Sequence, residues 1–141
     1  MKDPRAVPAA PPFNLEAHRR QHFWDWSETF TIEGGLSVKS YPARLPLPFR
    51  SVLVLVFAFV DTAPTGAAII LDLNRNGTTI FTDEAKRPQI AASAFDTGGL
   101  LDIDVTIFEP GDHCKLDIDQ VGSMIAGSDL TCGTYWRFAN R

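Results

Sequence analysis

Only two cysteines, Cys114 and Cys132, occur in the 141 residues, too few for the disulfide framework that staples small secreted domains. If they lie on neighbouring strands joined near Met124 they fall several residues out of register, so the sequence predicts free, buried thiols that pack as small hydrophobes. Basic charge is also short, with 13 Lys and Arg against 17 Asp and Glu and a net charge of −4. That balance excludes a sequence-independent nucleic-acid binder, which needs surplus cations to neutralise phosphates. Long apolar runs are missing as well. Leu53–Val60 falls far below the ~20 residues of a membrane-crossing helix. The opening MKDPRAVPAAPPFNLE has no continuous apolar stretch of the signal-peptide kind, so synthesis and retention in a cytoplasm are expected. Catalytic patterns are scarce too: no serine sits in a nucleophile-elbow context and His113 is isolated. Neither enzymatic activity nor a cofactor is expected.

What the chain does have is β-type patterning around one stretch, Ser51 to Phe81. Hydrophobic residues make up 45% of the chain, enough for one real core in one domain. Ser51 to Val60 is apolar on both parities, with Val54 and Val56 on one and Phe57 and Phe59 on the other. As a strand it spans about 33 Å. A two-sheet sandwich covers one face of a strand, so the other must meet a helix, the N-terminal arm or a neighbouring subunit, and a dimer or trimer is expected. After Ala63-Pro64-Thr65-Gly66 come AIILDL, the turn Asn74-Arg75-Asn76-Gly77 and TTIFT, a hairpin whose Asn-Gly pair supplies the positive φ angles of a tight turn.

Residues 1–13 form a Pro/Ala arm of extended polyproline character. Asn14 is placed to cap a short helix from Leu15 to about Phe23, followed by the aromatic cluster Phe23-Trp24-Asp25-Trp26. Arm and helix, 1–27, are set apart from a sandwich domain, 28–141. Two readings of the cluster stand side by side. It plugs one end of the domain's own sandwich, or Phe23, Trp24 and Trp26 dock with Arg19 and Arg20 on another subunit, these being the residue types that dominate interface hot spots. His18 and His22 share a helical face, but Arg19 and Arg20 between them oppose a cation, and no metal is expected there.

From Glu28 the period is two, and Phe30, Ile32, Gly34-Gly35, Leu36 and Val38 suggest a hairpin. Tyr41 to Arg50 carries Pro42, Pro46 and Pro48 and fits only an edge or connecting segment. Gln89 to Phe95 reads as a short strand. Leu101, Ile103, Val105 and Ile107 alternate with acids, Glu109-Pro110-Gly111-Asp112 reverses the chain, and Cys114, Leu116 and Ile118 form the inward side of a partner strand. Leu130 to Phe138 closes the domain. About eight short antiparallel strands with no helix-length pattern between them predict an all-β fold, a two-sheet jelly-roll-like sandwich.

Two acidic constellations bear on chemistry. Asp72, Asn74 and Asn76 with Asp83 in twelfth place match the ligand spacing of a helix-flanked calcium loop, but the β-branched flanks favour a hairpin. Asp102, Asp104, Asp117 and Asp119 would share one face of neighbouring strands, where facing carboxylates raise one another's pKa and suit a cation. Alternating acids are also how a strand shows a solvent face, and no metal site is predicted.

The segments TAPTGAAIILDLNRNGTTIF (62–81) and LDIDQVGSMIAGSDLT (116–131), with Arg87-Pro88 between them, resemble a β-sandwich module of structural proteins of tailed bacteriophages. The resemblance spans roughly Arg50 to Tyr135. It implies a non-enzymatic virion protein, first a head decoration or cement protein that bridges capsid subunits, with the major capsid protein and its own copies as partners and neither nucleic acid nor membrane. The alternative is a receptor- or glycan-binding module of a tail or fibre, presenting Trp136 or Tyr135 to sugars. A calcium-dependent carbohydrate-binding domain stands third.

Overall fold

The computed structural model describes residues 25–98, 103 and 107–139. The strands are β1 (Asp25–Gly35), β2 (Lys39–Pro46), β3 (Ser51–Thr62), β4 (Ile69–Arg75), β5 (Thr78–Thr79), β6 (Gln89–Ile90), β7 (Ile107–Phe108), β8 (His113–Gln120) and β9 (Ser128–Phe138). All strand pairs are antiparallel. They build a four-stranded sheet in the order β1-β9-β3-β7 and a five-stranded sheet in the order β2-β8-β4-β5, with β6 also on β4. Counting β5 and β6 as two pieces of one interrupted position leaves eight positions, filled alternately in the two sheets along most of the chain. That is the jelly roll, packed as a β-sandwich.

This alternation corrects two expected hairpins. Gly34-Gly35 does not join paired strands, because β1 pairs β9 while β2 pairs β8. The chain leaves one sheet there for the other, helped by Gly34 at φ 81. Likewise β7 pairs β3 and β8 pairs β2 and β4, so Glu109–Asp112 is a crossing and not a hairpin turn. The Asn76-Gly77 hairpin is present, with φ of 52 and 89, and it holds Arg75 opposite Thr78. Only Thr78 and Thr79 of TTIFT stay in the ladder; Ile80 and Phe81 leave it to fill the core. β2 is an edge strand, as its prolines require, and its register slips between Ser40 and Arg44.

The inner faces supply one core. Leu71 and Leu73 of β4 and Cys114, Leu116 and Ile118 of β8 meet Val56, Ala58 and Val60 of β3 and Leu130, Cys132 and Trp136 of β9. Cys114 and Cys132 belong to opposite sheets, both free and buried. Burial pushes each thiol up to about 12, Cys114 with a further contribution from Cys132.

β3 carries the main surprise. On β9 the partners run Leu53 with Trp136, then Leu55 with Tyr135, so Val54 is an extra, unmatched residue. This β-bulge flips the phase of the strand. Ser51 and Leu53 face the core before it, and Val56, Ala58 and Val60 after it. Val54, which strict alternation would put on the same face as Val56, is therefore an outward residue.

Candidate functional site

The bulge and the alternation beyond it leave an apolar ridge along the outside of β3. Val54, Phe57 and Phe59 are 39%, 37% and 43% exposed, and the two rings stand 6.0 Å apart. Nothing on β9 covers them, since Phe57 lies opposite Gly133 and Phe59 opposite Thr131. Ile107, next in register to Val52, extends the ridge at one end. Phe95, whose carbonyl accepts from the Val60 amide, extends it at the other; both are exposed. Towards β1 the same outer face turns polar, with Ser27, Thr29 and Thr31 beside Thr131. There Tyr135 Oη donates to Asp25 and Arg137 Nε donates to Asp25 Oδ1 at 3.0 Å. The Arg137 guanidinium holds the Asp25 carboxyl below its ordinary range.

At the end of the sandwich where the chain enters β1, an apolar groove with a volume of about 780 Å³ opens between the sheets, lined chiefly by Trp26, Leu45, Pro46, Pro48, Phe49 and Phe138. Of the five predicted contact residues, only Trp26 is among the described ones. It is half-buried and stacks on Trp136 with centroids 6.3 Å apart, as part of the domain's own packing. Arg19, Arg20, Phe23 and Trp24 lie outside the described residues, as do His18 and His22.

The outer face of the other sheet gathers acids from both constellations, in a grouping that neither spacing indicated. Asp72 on β4 is the register partner of Asp117 on β8, and Asp72, Asp117 and Asp119 bring one carboxylate oxygen each within 4.8 Å of one another. Thr79 Oγ1 donates to Asp72 Oδ1 at 2.6 Å, and Asn74 Nδ2 donates to Asp117 Oδ2 at 2.7 Å. Arg87 Nη1 pairs with Asp119 Oδ2 at 2.6 Å. Asp117 Oδ1 is buried with no hydrogen-bond partner among the described residues. Asp83 caps a short 3₁₀ turn, accepting from the Ala85 amide, and does not join the cluster. Asp102 and Asp104 lie outside the described residues, and β7, into which their segment leads, pairs β3 instead of β8.

Burial raises the Asp72 pKa above its ordinary 3.8, and the charges of Asp119 and Asp117 add to the effect. The folded chain thus holds this proton more tightly than the unfolded one. Asp72 contributes stability below the unfolded pKa, and the contribution is lost as pH rises through the folded value. Asp72→Asn is therefore expected to raise Tm at neutral pH by roughly 1–3 °C and to lose that advantage below pH 3.8. An equal difference at both pH values, read by calorimetry, contradicts this origin. Millimolar calcium should move Tm by less than about 1 °C, because Arg87 already supplies a cation to the cluster.

The two separated motifs of the phage-module resemblance meet at one corner. Thr65 of APTG bridges Ile125, the Met124 amide donates to the Thr65 carbonyl at 3.0 Å, and the Ile125 amide donates to Thr65 Oγ1 at 3.0 Å. A Cβ on Gly66 would collide with Ser123 Oγ, and one on Gly122 with the Ile125 carbonyl, so both glycines serve this close approach. The aromatics offered to sugars are otherwise engaged: Trp136 is fully buried, and Tyr135 is held by Asp25.

No family model and no curated protein matches the chain. Among solved structures it is similar to a chain described as "Cyanophage Pam1 capsid asymmetric unit", at 13% identity and a TM-score of 0.40, over 99% of this chain and 98% of that one.

Proposed function

We propose that the protein is a non-enzymatic structural component of a phage virion, a head decoration or cement protein that seats on neighbouring capsid subunits and stabilises their contacts. The observation that carries the reading is the ridge of Val54, Phe57 and Phe59 with Ile107 and Phe95. Exposed apolar residues in a contiguous row on a rigid sheet mark an interaction surface, and aromatic anchors of this kind carry most of the energy of protein contacts. The jelly roll supplies a small stiff body, and the motif resemblance supplies the virion setting. A second attachment through the N-terminal residues, 1–20, would add avidity across a subunit boundary, since a linked second contact binds at high effective concentration.

The test is binding to phage heads assembled without the protein, followed by co-sedimentation. Phe57→Asp/Phe59→Asp should stay folded by circular dichroism, run as a monomer where the parent chain self-associates, and bind heads on the order of 100-fold more weakly. Deleting residues 1–20 should likewise leave a β-rich protein with weakened binding. If both variants bind as the parent does, the decoration reading is wrong.

A further inference from the structure

The end groove has a feature that the docking ridge lacks, namely a chain segment that arrives at its mouth. On β1 the inward side chains are Trp26 and Glu28, which line the groove, then Phe30 in the core and Ile32 packed against it. Asp25, on the opposite parity, faces outward to Tyr135 and Arg137. Strand alternation carries this pattern one step back. We infer that Trp24, the next position on the inward parity, closes the groove of its own chain.

Three observations on this face favour that occupant. Two residues along a strand cover about 7 Å, so a continuation of β1 by that length would reach the mouth beyond Trp26 without any reversal of the chain. The groove is apolar and incomplete: Phe49 leans on Phe138 with ring centroids 5.6 Å apart, yet stays 56% exposed, a state that an indole laid across it would relieve. Its charge is complementary to the segment. Glu28 is the one charged residue among the described residues lining the groove, and Arg19 and Arg20 lie within four or five residues of Trp24, a chain reach of about 13–17 Å. A tethered segment also meets its own groove at an effective concentration that another molecule rarely matches. The inference goes beyond the virion reading and does not depend on it, and it leaves residues 1–18 able to contact a partner.

The full-length chain provides the test. In His22→Cys/Pro48→Cys, a short bis-maleimide should link the two new thiols within one molecule, while Cys114 and Cys132, buried and pushed up to about 12, react slowly. A cross-linked dimer would mean that the groove takes a second copy's segment, and no cross-link would mean that it takes neither; each result overturns the inference. Independently, Trp24→Ser should speed tryptic cleavage after Arg19 and Arg20 roughly tenfold or more by freeing the segment. Phe23→Ser, on the outward parity, should stay within about twofold of the parent. Equal acceleration by both overturns the assignment, as does a hydrophobic dye that binds the parent chain as well as it binds Trp24→Ser.

Discussion

Val56→Asp is expected to abolish the cooperative unfolding transition, while Val54→Asp, two residues earlier on the same strand, folds and loses little stability. Val56 has no exposed surface, whereas Val54 is 39% exposed on the far side of the bulge. An aspartate at 56 would sit in the apolar core, where none of the clustered side chains carries a charge to pair with it. An unpaired buried charge costs several kcal/mol, a large part of the about 5–15 kcal/mol that holds a domain together. At 54 the carboxylate reaches water directly. Circular dichroism and urea titration decide the matter: equal unfolding of the two variants would mean that β3 runs without a bulge, with both residues on one face.

The pair also marks where the sequence stops being informative. That Ser51–Val60 is a strand, and apolar on both parities, is legible from its residues, and so is the grouping of Phe57 with Phe59 on one of them. The phase change at Val54 is not. It depends on how β3 registers against Trp136 and Tyr135, some eighty residues later in the chain. The same limit explains the misplaced hairpins. Alternation around Gly34-Gly35 and Glu109–Asp112 reports which face a side chain takes, but not which strand lies alongside, and in a jelly roll the next strand usually joins the other sheet. Asn76-Gly77 was readable because its turn is closed by local chemistry. Its further role was not: Asn76 Nδ2 donates to Asp112 Oδ1, and Asn76 Oδ1 accepts from the His113 amide, which ties the turn to the start of β8.

The acidic cluster follows the same rule. Asp72 and Asp117 each stood out, in separate patterns, and only the β4 to β8 register makes them neighbours. A signal for their pairing was present in kind, since LDLN and LDID share one apolar/acid alternation, but strand order lies outside what alternation encodes. The resemblance motifs are informative for a different reason. APTG and VGS pack on each other through Thr65, Gly66, Gly122 and Ser123, so what they report is a corner of the fold and not a binding surface. The ridge, on which the functional reading rests, is built from residues outside that corner.

Trp136→Ala should be the most damaging truncation to alanine in the protein, at about 3–5 kcal/mol, or a fall of roughly 10–20 °C in Tm for a domain of this size. The indole lies where four strands meet. It is the register partner of Trp26 on β1 and of Leu53 on β3, and Phe108 of β7 meets it edge-on at 4.9 Å. Its Nε1 donates to Thr134 Oγ1 at 2.7 Å, and that hydroxyl donates to the Glu28 carbonyl at 2.8 Å, so the polar end of the ring is satisfied inside the core. Trp136→Phe keeps an aromatic body and leaves the Thr134 to Glu28 bond in place, so its cost should be only about 1–2 kcal/mol. Trp26→Ala removes a half-buried partner and should fall between the two. Chemical denaturation of the three variants tests the order. If Trp136→Phe costs as much as Trp136→Ala, the hydrogen-bonded chain from the indole to Glu28 outweighs the packing of the ring, and the core is held at this end by polar contacts.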